Sequence, residues 1–269
     1  MTAHGLTPRN RNKYCNKFVY NAGYKPIVNP VVKHKRDTSL LVGMELEIEV
    51  PYDNRRDVFV EVANANFPKG LFYHTSDCTV AGVEMTSVPV TINWLNAHRE
   101  HIQAGFDALK EIGANIKHNC GGHIHASKKH ITNSDARKIL YLFCTEFNQF
   151  YPIVGRLNGR HQEWFNVDTR AGRSRADVLH YCKSTNCSGR WEYAPKLFTG
   201  AKTSEFRVFG GTIETEQLFS NLQLMDLMHR AAKKIPMEVY TWENLMNFAN
   251  ARGRSFKDMK RKLGALCAS

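Results

Sequence analysis

The chain has 269 residues, 42% of them hydrophobic and 23% charged, a balance that excludes wholesale disorder and fits one large domain or two small ones sharing a cleft. No stretch approaches the ~20 apolar residues needed to cross a bilayer, and Met1 to Lys25 lacks the apolar core of a secretory signal, so a cytoplasmic protein is the expectation. The formal charge of +12 is concentrated at the ends: residues 1–36 hold eight Lys/Arg and no Asp or Glu, and residues 252–262 hold six Lys/Arg against Asp258, leaving the rest nearly neutral.

Taken in chain order, residues 1–37 are rich in Asn, Lys, Arg and Tyr, with Pro8, Pro26 and Pro30 breaking any long element, and form a basic arm. Leu40 to Val50 alternates and stops at Pro51, which predicts a strand. Arg55 to Ala65 has a helical period, and Leu71 to Thr91 reads as two strands around a turn at Ala81-Gly82. Asn93 to Gly113 predicts one amphipathic helix through Trp94, Leu95, His98, Ile102, Phe106, Leu109 and Ile112. A strand over Gly122 to Ser127 precedes a helix from a Ser134 cap through Tyr151.

Residues 155–190, rich in Arg, Gly and Asn, read mostly as a long loop with short pieces of structure, of the kind that tends to carry function. A strand over Thr203 to Phe209, a helix over Thr215 to Lys234 and a helical segment from Thr241 to Leu263 complete the chain. The sum is α+β, with antiparallel strands and helices on one face. The domain reading is a basic arm over 1–37, a catalytic domain over 38–235 and a basic helical segment over 236–269.

Seven cysteines in no regular framework fit scattered reduced thiols. Cys182 and Cys187 have the look of half a zinc knuckle, but no second pair nearby completes four ligands.

Four segments carry chemistry. In Glu45-Leu46-Glu47-Ile48-Glu49 the carboxylates share one strand face and the apolar residues the other. Like charges on one face repel unless a cation sits among them, and Mg²⁺ or Mn²⁺ prefers oxygen ligands; a solvated edge strand gives the same pattern. In Gly121-Gly122-His123-Ile124-His125 two histidines share a face after a glycine turn, as metal or phosphate contacts or as a structural pair. In Glu205-Phe206-Arg207 a carboxylate and a guanidinium share a face, as a surface pair or as a metal ligand beside a phosphate clamp. Asp77 and Glu84 add two more carboxylates, as a turn former and a solvated acid or as further ligands.

The order of these motifs resembles the amidoligase family of glutamine synthetase-like carboxylate–amine ligases: Gly-x-Glu-x-Glu, Asp…Gly-Val-Glu-x-x-Ser, Gly-x-His-x-His, then Glu-Phe-Arg-x-Phe-x-Gly-Thr, from about Leu41 to Ala232. The resemblance implies a glutamine synthetase catalytic-domain-like curved antiparallel sheet, helices packed on its convex face, with ATP and Mg²⁺ or Mn²⁺ as cofactors. It makes Glu45, Glu47, Glu84, His123 and Glu205 metal ligands, His125 a nucleotide or acyl-phosphate contact, and Arg207 the phosphate-contacting arginine. It also places Arg156 in the catalytic set and offers Asp77 as the base or amine-binding acid. The family's Asp-Gly-Ser reads Asp77-Cys78-Thr79 here, a departure at the local turn.

The implied reaction joins a small-molecule, amino-acid or peptide carboxylate to an amine through an acyl phosphate, with the Arg-rich loop 156–190 recognising an acidic substrate. The alternative is a protein that binds or modifies nucleic acid with a ligase-like fold, its basic ends holding the polymer.

Overall fold

The computed structural model describes residues 40–50, 56–75, 82–117, 120–150, 153–154, 174–184, 203–253 and 256–267. The basic arm, Asp77, Cys78, the Ala81 turn position, Arg156, Cys187 and most of the Arg-rich loop lie outside them. The fold is α+β, a six-stranded sheet with helices. Among the described residues no helix is long and apolar enough to cross a membrane. The chain falls into two compact units, Met1–Gly122 with Gly211–Thr215, and His123–Gly210 with Glu216–Ser269.

The first unit is built on β1 (Leu41–Glu49), β2 (Phe72–Thr75), β3 (Gly82–Ser87) and the short β4 (Val90–Thr91). β3 lies between β1 and β2, antiparallel to both, and β4 pairs with the start of β1. Val42, Met44, Leu46 and Ile48 are buried on one face of β1, and the register aligns Leu46 with Met85 and His74. Helices α1 (Arg56–Asn66) and α3 (Arg99–Glu111) pack on each other, and α1 sets Phe59 edge-on to His74 on that apolar face, at 6.0 Å.

Phe67 locks the assembly, edge-to-face with Phe72 at 5.1 Å and with Phe106 at 5.3 Å. A Cβ on Gly105 would sit 2.7 Å from the Phe67 ring, so only glycine admits that ring to α3. At Gly82 a Cβ would sit 1.9 Å from the Ile48 carbonyl oxygen, so β3 can enter its register beside β1 only through glycine.

The second unit contains β5 from His123 onward (the strand spans Gly121–Ser127) and β6 (Thr203–Gly210). With them are α4 (Asn133–Phe150), α5 (Arg175–Ser184), α6 (Thr215–Ala232, from Glu216 onward), α7 (Trp242–Asn250) and α8 (Lys257–Cys267). α6 is buried on nearly every side, so its polar groups must find partners inside the protein. Gln217 donates to the Ile153 carbonyl at 2.7 Å and to Asn221 at 2.8 Å. Lys138 donates to the carbonyls of Ala232 and Ile235 just past the helix end, where a cation also suits the helix dipole. Gln223 accepts from the backbone N–H groups of Asp258 and Met259, capping α8.

Three local features differ from the sequence reading, and a fourth gives one expectation its position. Asn93 to Gly113 is two helices, α2 (Ile92–Ala97) and α3. The break falls at His98, whose backbone N–H and ring Nδ1 both donate to the Trp94 carbonyl, letting one helix end as the next starts. Helix α4 is opened by Thr132, which forms a reciprocal capping box with Asp135, and not by Ser134. The Arg-rich region contains α5, a short piece of structure of the kind expected there, whose Ser174 and Asp177 cap its start. The C-terminal segment is divided by Gly253 (φ 57°) and Phe256 (φ 64°), both left-handed, between α7 and α8.

His74 is 3% exposed and apolar in its surroundings, and burial pulls its pKa from 6.5 to about 4. The unfolded chain therefore takes up a proton that the folded chain refuses as pH falls from 6.5 toward 4. Stability from this site is full above pH 6.5 and drains away across that window by roughly 3 kcal/mol. Denaturant unfolding of His74→Leu should show a clearly shallower loss of stability between pH 6.5 and pH 4 than the parent chain; equal slopes would mean that the imidazole is not held neutral.

Candidate functional site

The period of two that buries Met44, Leu46 and Ile48 turns Glu45, Glu47 and Glu49 to the opposite face. The registers align Tyr73, Thr86 and Glu45 in one row across β2, β3 and β1, and Thr75, Glu84 and Glu47 in the next. This face carries hydroxyls and carboxylates while the reverse face carries the core. Glu47 and Glu84 are direct cross-strand partners. Like charges so placed destabilise a sheet.

Local partners hold these acids in place. The Glu84 Oε1 accepts from the hydroxyls of Thr75 and Thr86, each at 3.1 Å. Glu47 is 6% exposed and its Oε2 accepts from the backbone N–H of Gly121. Glu49 pairs with Lys117, whose pKa it raises through a hydrogen bond and charge attraction. Burial pushes the Tyr73 hydroxyl above its ordinary range; the Thr86 hydrogen bond draws it back, and the charges of Glu45 and Glu84 push it up again. Tyr73 therefore stays a neutral donor next to the acids. Burial, seconded by the charges of Glu49 and Glu47, lifts the Cys120 thiol to about 11. It remains protonated at neutral pH and is unsuited to act as a thiolate nucleophile.

In the second unit, His123 and Glu205 are both buried, with His123 Nδ1 3.6 Å from Glu205 Oε1. Arg207, half-buried, reaches the same Oε1 through its guanidinium. One carboxylate oxygen is thus shared by an imidazole and a guanidinium. The neighbouring rung carries His125, whose Nδ1 lies 3.4 Å from Thr203 Oγ1.

The structure thus gathers Glu45, Glu47 and Glu84 on one face of the first unit, and His123, His125, Glu205 and Arg207 on facing strands of the second. Asp77 and Arg156 fall outside the described residues. Cys182 is buried and free, so the described residues give it no zinc partner. Tyr73, Thr75 and Thr86 escaped the sequence reading. Their alternation in β2 and β3 was visible, but the register that lines them up with the acids was not.

The donor types fit a divalent cation: carboxylates in close opposition, and a buried imidazole beside a carboxylate. No protein-family model matches the chain, and no curated protein matches it.

The opposition of Glu47 and Glu84 gives a direct check. Glu84→Gln keeps an acceptor for both threonines and removes one of the two facing charges. In chelator-treated protein it should raise stability by about 0.5 kcal/mol, and it should lose most of the melting-temperature rise that Mn²⁺ gives the parent. Equal Mn²⁺ responses in the two proteins would show that this face takes no cation.

Proposed function

We propose that the chain is an ATP- and divalent-metal-dependent carboxylate–amine ligase, its sheet curved as in the glutamine synthetase catalytic domain, with the acidic and histidine-bearing faces as its active surface. The observation that carries this reading is Glu205, a buried carboxylate whose Oε1 meets both His123 and Arg207. Such a group suits ligation of a cation beside a phosphate-binding guanidinium better than it suits stability, because a buried charge network costs desolvation. The order of the acidic, His-x-His and Glu-x-Arg motifs adds to it.

Glu45, Glu47 and Glu84 in the first unit, and His123 and Glu205 in the second, are the donors that the resemblance makes metal ligands. A bound Mg²⁺ or Mn²⁺ offsets charge on the phosphoryl oxygens. Arg207 contributes a planar pair of donors to the transferring γ-phosphoryl group. His125, whose Nδ1 is engaged by Thr203, keeps the role of nucleotide or acyl-phosphate contact given by the resemblance. Asp77 and Arg156 keep the roles given by the resemblance, base or amine contact and substrate contact.

In the reaction, a substrate carboxylate oxygen bonds to the γ-phosphorus of ATP as ADP leaves. The amine nitrogen then bonds to the acyl carbon, inorganic phosphate leaves with the carbon–oxygen electron pair, and a carboxylate takes the amine proton. The Thr75 and Thr86 hydroxyls fix one Glu84 oxygen, which spares the site reorganisation at the moment of reaction.

Phosphate release from Mg²⁺-ATP, screened against mixed amino acids, peptides and small carboxylates with amines, is the test. The parent chain should show substrate-stimulated release, and Glu205→Gln should cut it by ~100-fold or more, about 2.7 kcal/mol of barrier. No stimulation in the parent, or a Glu205→Gln variant within twofold of it, would sink the ligase reading.

A further inference from the structure

The first unit holds a second group of metal-ligating side chains that the ligase reading leaves unused. We propose that His98 and His101, at the joint between α2 and α3, form a surface site for a borderline transition-metal cation of the Cu²⁺, Ni²⁺ or Zn²⁺ type. Three observations meet there.

The two residues are three apart at the start of α3, where such pairs lie side by side on the helix surface. Their ring centroids are 6.2 Å apart with the planes tilted by 44°. With metal–nitrogen bonds of about 2.0–2.1 Å, two imidazoles on one ion bring their ring centres to roughly 4.5–6 Å. A modest turn of His101 about its side-chain torsions closes the difference, and His101 is exposed and free to turn.

His98 is already set as a ligand. Its Nδ1 lies 2.9 Å from the Trp94 carbonyl oxygen. A carbonyl only accepts, so Nδ1 carries the proton, and in the neutral ring Nε2 keeps its lone pair. An N–H donated to a backbone carbonyl from the far side of the ring is the usual outer partner of a metal-bound histidine. The ring is also clamped, stacked on Trp94 at 3.8 Å and 22°. One of the two ligands thus loses little freedom on binding.

The electrostatics around the pair are mixed. The N-terminal end of α3 disfavours a cation, whereas the C-terminal end of α2, which His98 also caps, and the Glu100 carboxylate favour one. Imidazole nitrogen selects the borderline metals over Mg²⁺ or Ca²⁺, which separates this site in kind from the carboxylate face. Two protein donors leave the other positions to water, so the site is open and of modest affinity. Its occupation would pin the joint at which the predicted single helix breaks.

The Trp94 ring supplies the readout, since Cu²⁺ on the imidazole stacked against it quenches its emission. Titration of the full chain with CuCl₂ should give a saturable quench of part of the tryptophan fluorescence, reversed by EDTA. His101→Gln, at an exposed helical position, should keep the parent circular dichroism and weaken the apparent affinity for that phase at least tenfold. Trp94→Phe should remove the phase from the fluorescence while Cu²⁺ binding, followed by electron paramagnetic resonance, keeps its nitrogen couplings. A parent chain without a saturable quench, or a His101→Gln variant with unchanged affinity, overturns the proposal.

Discussion

Strand β1 must keep two incompatible sets of side chains apart, and nearly everything at the candidate site follows from how it does so. Its apolar residues alternate with three glutamates, and the strand period of two leaves one workable arrangement, with Met44, Leu46 and Ile48 in the core and Glu45, Glu47 and Glu49 away from it. A slip of one residue would drive three carboxylates into the core, at a desolvation cost no loop could absorb. The register with β3 is therefore strongly specified, and that register sets Glu47 opposite Glu84. A sheet selected for stability alone avoids facing acids. The hydroxyls of Thr75 and Thr86 and the N–H of Gly121 hold these acids in place without neutralising them. Local rules broken with supporting structure around the breach are expected at functional or strained surfaces.

The same constraint shapes the reverse face. Holding Glu47 and Glu84 out holds Leu46, Met85 and His74 in, one row over. His74 thus occupies a core position because of its place in the alternation, edge-on to Phe59 and without its charge. The close approach of β3 to β1 depends on Gly82, and the seating of Phe67 against α3 depends on Gly105. Neither glycine sits in a turn. Each marks a point where two surfaces come nearer than a methyl group allows.

Much of this was legible in the sequence because strands and amphipathic helices announce themselves by period. The alternation over Leu40 to Val50, Gly122 to Ser127 and Thr203 to Phe209 gave the strands to within a residue at each end, and with them the facing of Glu45, Glu47, His123, Glu205 and Arg207. What escaped depends on contacts between distant segments or on single torsions. The apolar stripe of Asn93 to Gly113 runs through His98 without interruption, so its period could not reveal that a side chain would satisfy the Trp94 carbonyl and let the helix break. Thr132 and Ser134 are both plausible caps by residue type, and only the reciprocal bonds with Asp135 decide between them. Helix α5 has a weak amphipathic pattern in an Arg-rich context, so the composition of its surroundings masked it. The membership of Tyr73, Thr75 and Thr86 in the acidic face needed the register, which alternation alone does not give.

The charge distribution bears on the choice between a ligase and a polymer-binding protein. Counterion release requires cations that are not already neutralised within the protein. In the C-terminal basic stretch, Arg261 pairs with Glu216 at 2.8 Å and with Asp258 at 3.1 Å. Lys260 donates to the carbonyls of Ala249 and Gly253, and Arg252 stacks over the Phe248 ring at 3.3 Å while donating to its carbonyl. Burial lowers the pKa of Lys262, which makes that charge harder to hold. These side chains tie α7 and α8 to their own backbone and to α6, but only the Arg261 charge is offset by carboxylates there, so the formal charge counted along residues 252–262 overstates by that pairing what a polyanion would meet. A basic stretch engaged in this way belongs to the architecture of its unit. The case for a nucleic-acid partner then leans more on residues 1–36, whereas the ligase reading rests on the carboxylates of β1 and β3 in the first unit and, separately, on His123, Glu205 and Arg207 in the second.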